Sequence, residues 1–144
     1  MAVLGDLLLR RQGDFDDVMG TTVWNFAVGV ALRDVVFVSS ADTVDKISAT
    51  GSGEDPAIGV VVALNTPSAG QCVVRHVGLV TGFSGLTAGR RYILSRASGE
   101  ILESTDSGNP DYPVVGDFKQ TIGVAANTTT LMVMVDSTTY NITA

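Results

Sequence analysis

Gly85-Leu86-Thr87-Ala88-Gly89-Arg90-Arg91-Tyr92-Ile93-Leu94-Ser95 reads as a glycine-bounded turn running into a short strand. Further on, Gln120-Thr121-Ile122-Gly123-Val124-Ala125-Ala126 and Thr129-Thr130-Leu131-Met132-Val133-Met134-Val135 read as two more strands joined by a polar hairpin. Working outward, the same grammar covers the chain from Ala27 onward: short runs rich in Val, Ile and Thr, divided by Gly, Ser, Asn, Asp and Pro. That spacing predicts an all-β domain. Strands are expected over 23–28, 34–39, 46–49, 57–64, 71–76, 79–83, 91–95, 101–104, 121–126 and 130–136. Turns are expected at Ser52-Gly53-Glu54-Asp55-Pro56, Asn65-Thr66-Pro67-Ser68-Ala69-Gly70, Ala88-Gly89, Ser98-Gly99 and Ser107-Gly108-Asn109-Pro110.

The faces of these strands differ. Gln71-Cys72-Val73-Val74-Arg75-His76-Val77 is mixed and suits a half-buried strand. Ile58-Gly59-Val60-Val61-Val62-Ala63-Leu64 and Leu131-Met132-Val133-Met134-Val135 are apolar on both faces and need two covers. The second cover is expected from a second sheet or another subunit, and in so small a domain another copy of the chain is the expected source. Gly59 and Gly123 each open an apolar strand, where a missing side chain marks a bulge or a close backbone approach. They predict bends at which a sandwich or small barrel turns its corners.

An internal echo accompanies this pattern. Asp34-Val35-Val36-Phe37-Val38-Ser39 corresponds to Arg91-Tyr92-Ile93-Leu94-Ser95, and Thr43-Val44-Asp45-Lys46-Ile47 to Ser98-Gly99-Glu100-Ile101-Leu102. Ile58-Gly59-Val60-Val61 then corresponds to Ile122-Gly123-Val124-Ala125, and Gly70-Gln71-Cys72-Val73-Val74 to Thr130-Leu131-Met132-Val133-Met134. The order is kept and the spacing is not, so duplication and convergent strand patterning both fit.

A chain of 144 residues suits a single domain with a sizeable core. With 45% hydrophobic and 17% charged residues and a mean hydropathy of +0.31, general disorder is excluded, and some apolar surface is expected to meet a partner. The net charge of −6, with nine basic residues scattered apart from Arg10-Arg11 and Arg90-Arg91, argues against a phosphate-backbone ligand. No nucleic-acid partner is expected. Ahead of the β-body, residues 1–20 read as an extended arm, with 21–144 as the single all-β domain. Val3, Leu4, Leu7, Leu8 and Leu9 make the arm apolar, while Gly5 and Asp6 argue against a helix. The charges follow the apolar run, unlike a secretory leader, and no run approaches ~20 apolar residues, so no membrane partner is expected.

Residues for chemistry are sparse. The single histidine, His76, and the single cysteine, Cys72, share a strand but have no partner that marks a triad, and together they are too few for a zinc site. A lone thiol on a strand reads as a small apolar residue. Asp14-Phe15-Asp16-Asp17 and the group Asp106, Asn109 and Asp111 lack the regular spacing of a calcium loop. Gly51-Ser52-Gly53-Glu54-Asp55 has no following lysine and does not cradle phosphate. No catalytic residue, metal or cofactor is therefore expected. Trp24 and Phe26 stand two apart and share a face, either as a core anchor or as an interface hot spot.

The turn-strand of residues 85–95, followed by the Gly123 strand and the Thr130 strand, resembles a β-rich module of tailed-bacteriophage virion proteins, over about Val80 to Val135. The resemblance is to capsid decoration (cement) proteins and to head- or tail-fibre domains. It implies a β-sandwich or small barrel, jelly-roll-like or β-tulip-like, and a non-enzymatic role. As a decoration protein the chain would be made in the host cytoplasm and sit on the outer capsid surface. Its partners would be the major capsid protein and copies of itself, as a homotrimer or alternatively a dimer. Val3, Leu4, Leu7, Leu8, Leu9, Trp24 and Phe26 are the candidate interface residues. The alternative is a fibre or spike domain for host-surface attachment, which the lack of heptads or a repetitive shaft disfavours.

Overall fold

A computed structural model describes residues 20–51 and 53–143 of the chain. Every regular element among them is a strand: β1 (Thr21–Phe26), β2 (Val35–Ser40), β3 (Thr43–Lys46), β4 (Gly59–Leu64), β5 (Gln71–Arg75), β6 (Val77–Thr81), β7 (Arg91–Leu94), β8 (Ile101–Glu103), β9 (Phe118–Lys119), β10 (Thr121–Ala125), β11 (Thr130–Met134) and β12 (Tyr140–Asn141). The all-β expectation holds. The expected arm lies outside the described residues apart from Gly20.

The first five strands close into a barrel in the order β1-β3-β2-β4-β5, and a second five-stranded sheet runs β6-β11-β10-β7-β8. The barrel is sealed where β1 lies parallel to β3, with Asn25 opposite Thr43 and Phe26 opposite Val44. All its other pairings are antiparallel. A short β12–β9 pair completes the strand set.

Two cores follow from strand alternation. Val36, Val44, Val61, Cys72 and Val74 point into the barrel, which Val30 plugs and which Trp24, Phe26, Ile58 and Leu64 line. Their neighbours Val35 and Val60 point outward, against Val80, Tyr92, Leu94, Ile122, Leu131 and Val133 of the second sheet. The second cover of β4 therefore comes from the same chain, and not from the other copy that the small size of the domain suggested. One wall, β2 and β4, serves both cores. Full burial of each such valine or leucine contributes about 1.5–3 kcal/mol.

The internal echo is a shared strand plan. Antiparallel pairs β2–β3, β2–β4, β4–β5 and β1–β5 have counterparts β7–β8, β7–β10, β10–β11 and β6–β11. Registers agree around the two glycines: Val36 faces Gly59 as Tyr92 faces Gly123, and Val61 faces Val74 as Ala125 faces Leu131, so Val74 matches Leu131 and not Met134, and by the same pairing Val44 matches Ile101 and not Gly99. Only the parallel closure has no counterpart.

The decisive turn owes its sequence to packing. Gly89 holds φ at 82°, and the Arg90 N–H donates to the Thr87 carbonyl at 3.1 Å. The Thr87 N–H donates to the Tyr92 hydroxyl at 2.9 Å, so the strand's aromatic residue clamps the turn before it. Leu86, Tyr92 and Leu94 are all buried in the inter-sheet core.

Two strand expectations shift. The run at 46–49 contributes only Lys46 to β3, because Ile47 and Ala49 leave the ladder to enter the inter-sheet core. The strand ending at His76 stops at Arg75, and β6 begins at Val77.

Gly59 and Gly123 occupy equivalent places, and a methyl group at either would overlap a backbone carbonyl, that of Arg75 or of Met132. A register shift beside Gly123 marks the bend expected there. Since the obstacle is backbone, Gly59→Ala and Gly123→Ala should each destabilise by about 1–3 kcal/mol or more. Shifted urea-denaturation midpoints would show it; unchanged midpoints would refute the close-approach account.

Candidate docking surface

The second sheet has one face in the inter-sheet core and one face outside. On the outer face β6 and β11 set Leu79 opposite Met132 and Val77 opposite Met134. Val124 of β10 stands on the other side of Met132, and Arg91 of β7 beyond it. Exposure is 58% for Val77, 52% for Leu79, 37% for Met132 and 46% for Met134. These side chains form a continuous apolar stripe across adjacent strands. Strand alternation produces it: Leu131 and Val133 take the core, so Met132 and Met134 must face out. The doubly apolar reading of this strand thus holds, and its second cover is absent among the described residues. Exposed methionines supply an adaptable, polarisable surface.

Polar groups border the stripe. Arg91, Ile93, Ser104, Tyr112, Lys119 and Tyr140 line a cleft of about 300 Å³, with the Lys119 ammonium 5.1 Å from the centre of the Tyr112 ring. Arg90, the other half of the basic pair, reaches Glu103 at 3.3 Å.

Trp24 and Phe26, expected to share a face, both pack against the barrel core while staying half-exposed. Each thus has one part in the core and another at the surface. Val3, Leu4, Leu7, Leu8 and Leu9 lie outside the described residues.

His76 is a joint. Its Nδ1 lies 2.7 Å from the Ile58 carbonyl, which can only accept, so Nδ1 carries the proton. Nε2 then accepts from the Thr22 hydroxyl, and that oxygen accepts the Trp24 indole N–H at 2.6 Å. The His76 backbone N–H donates to the Gly20 carbonyl at 2.8 Å. Both ring nitrogens are thereby engaged where the chain passes from barrel to second sheet.

Cys72 is fully buried in the barrel, and burial pushes its thiol up to about 11. The thiol stays protonated near neutrality and behaves as the small apolar residue expected. Asp34 is also held above the ordinary carboxylate range, chiefly by burial, against the opposing pull of the Ala31 N–H and of Lys46. Gln120, invisible as a special residue in the sequence, is buried and bonds both the N–H and the carbonyl of Ala57 and the carbonyl of Asp136.

Asn109 spends its side chain on Asp106 and on the Asp111 N–H, as local turn bonds. No group of three or more His, Cys, Asp or Glu residues disposed to hold a metal occurs among the described residues. Among the same residues no helix is long and apolar enough to cross a membrane. In Gly51-Ser52-Gly53, the second glycine is needed because a side chain there would meet the Phe118 ring at 2.8 Å.

Comparison with known protein families, curated proteins and solved structures gives no match to any of the three.

Two measurements test these assignments. Thr22→Val keeps the shape but strands the His76 Nε2 lone pair and the Trp24 N–H, so a loss of about 1–3 kcal/mol is expected in denaturant unfolding; an unchanged stability would show that the relay contributes nothing. Cys72 should resist iodoacetamide at pH 8 until the protein unfolds, with labelling followed by mass spectrometry; rapid labelling of the native chain would contradict a buried thiol.

Proposed function

We propose that this protein is a structural virion component, a capsid decoration protein that binds the outer surface of a tailed-phage head and stabilises its lattice. The observation that carries the reading is the apolar stripe of Val77, Leu79, Met132 and Met134 on an otherwise finished sheet. Exposed patches of this kind mark docking sites. The resemblance of the turn-strand module supplies the class of partner, the major capsid protein. The acidic balance suits an outer, protein-facing position better than a DNA-facing one.

The mechanism is mass action. A ligand that binds only the assembled lattice stabilises it by RT ln(1 + [L]/Kd), about 2.7 kcal/mol per site when free protein stands at 100 times Kd. A homo-oligomer, a trimer in this reading, engages several capsid subunits at once and gains avidity. Val3, Leu4, Leu7, Leu8 and Leu9 are proposed as a second contact.

Leu79→Lys combined with Met132→Lys places two charges on the stripe at exposed positions, leaving both cores untouched. Co-sedimentation with purified expanded heads that lack the protein should show at least about tenfold weaker binding, equivalent to about 1.4 kcal/mol. Equal binding by variant and wild type would remove the stripe from the contact. Failure of the wild type to sediment with any head would overturn the decoration reading.

A further inference from the structure

Leu79 belongs to the stripe and also lines a cleft of about 210 Å³, shared with Val62, Val80, Thr81 and two arginines, Arg33 and Arg75. Among the described residues no carboxylate lines this cleft, although acids outnumber bases fifteen to nine in the chain. Arg33 Nε and Nη1 and Arg75 Nε are buried with no hydrogen-bond partner among the described residues. Neither guanidinium belongs to an ion pair there, whereas Arg90 and Arg96 have Glu103 and Asp117. The one side-chain bond from the pair runs from Arg75 Nη1 to the Leu79 carbonyl at 2.9 Å. Asp34, next to Arg33 in sequence, spends its carboxylate on the Ala31 N–H at 2.7 Å. A guanidinium taken from water without a partner is unfavourable, and two like charges lining one cleft add to the cost.

The fold nevertheless holds both arginines in place. The Arg33 N–H donates to the Val61 carbonyl at 2.8 Å. Its φ of 71° lies in the left-handed region, so a long basic side chain stands where glycine is favoured. Arg75 ends β5, opposite Val60 of β4. Two glycines make room for the pair: a methyl group at Gly82 would overlap Arg33 Nε, and one at Gly78 would stand 3.4 Å from Arg75 Cδ. Val62 is the residue passed over where the β4–β5 register shifts between Val61 and Ala63, and a bulge of this kind re-aims its side chain. A ligand therefore meets donors that are already ordered.

The lining selects the anion. Val62, Leu79 and Val80 supply aliphatic walls, and Thr81 is the one other polar side chain among the described lining residues. A planar carboxylate matches guanidinium donors, and a short methylene stem behind it suits the walls. A phosphate would set more of its oxygens against aliphatic carbon, where they find no donor.

We propose that the Arg33–Arg75 cleft is a receptor for an aliphatic carboxylate, the Glu or Asp side chain of a protein seated on the adjoining stripe. The carboxylate assignment stands on the cleft alone; its source rests on the docking reading above.

The test has two arms. In the first, NMR follows the guanidinium Nε–H signals of Arg33 and Arg75 in the full chain at constant ionic strength. The probes are glutamate capped as N-acetyl and N-methylamide, the same capped glutamine, free glutarate and inorganic phosphate. The expected result is saturable displacement of both signals by capped glutamate and none by capped glutamine, with binding at least about tenfold weaker in Arg33→Gln. No saturable displacement, equal displacement by the glutamine probe, or tighter binding of phosphate would each overturn the carboxylate assignment. Binding of glutarate at least about tenfold tighter than of capped glutamate would overturn the partner side chain as source, in favour of a free small acid.

In the second arm, Arg33→Gln and Arg75→Gln are each co-sedimented with expanded heads that lack the protein, and at least about tenfold weaker binding than wild type is expected. Binding equal to wild type by both variants would overturn the proposed source while the first arm still decides the cleft. Failure of the wild type itself to sediment removes the capsid reading and the source with it, and leaves the carboxylate assignment to the first arm.

Discussion

The wall formed by β2 and β4 is the constraint on which the rest of this molecule depends. Val36 and Val61 fill the barrel from one side of that wall, and Val35 and Val60 fill the inter-sheet core from the other. Neither lobe is self-sufficient without it. A barrel of five short strands encloses few side chains, and the second sheet would leave Leu94, Ile122, Leu131 and Val133 facing water. Placing apolar residues on both faces of the same two strands solves both problems. It also explains why this region is among the least alternating in the sequence.

The shared strand plan then diverges at a single joint. In the barrel, β3 swings beside β1, and the Asn25 and Ala27 N–H groups donate to the Asp42 and Val44 carbonyls at 2.9 Å. The corresponding strand of the second sheet, β8, has three residues and is followed by a long connection that runs back to Phe118. That connection is tied down locally, with the Tyr112 hydroxyl donating to the Ser104 carbonyl at 2.7 Å and Asp117 meeting Arg96 at 2.9 Å. The open sheet must therefore rest on something, and the wall of the barrel is what it rests on.

Much of this was legible in the residues. Glycine-bounded turns and β-branched runs located ten of the strands to within a few positions, because turn chemistry and strand periodicity are local properties. The echo between halves was visible for the same reason: Gly59 and Gly123 are demanded by the backbone of the neighbouring strand. Which surface covers β4 was not legible, since apolar faces do not name their partner. The joint at His76 hid inside one continuous strand-like run, and the two-residue strands β9 and β12 are too short for any period. The outer stripe was half visible, as Met132 and Met134, while Val77 and Leu79 gained meaning only from their register. Arg33 and Arg75, distant in sequence and bland singly, became a pair only when folding set them around one cleft.

The passage from β5 to β6 has a mechanical consequence. With one residue between a barrel strand and the margin of the second sheet, and with that residue's ring fastened to Ile58 and Thr22, traction on the outer sheet travels along covalent backbone straight into the barrel. There is no slack loop at this crossing to absorb it. The two lobes must bear tension as one piece.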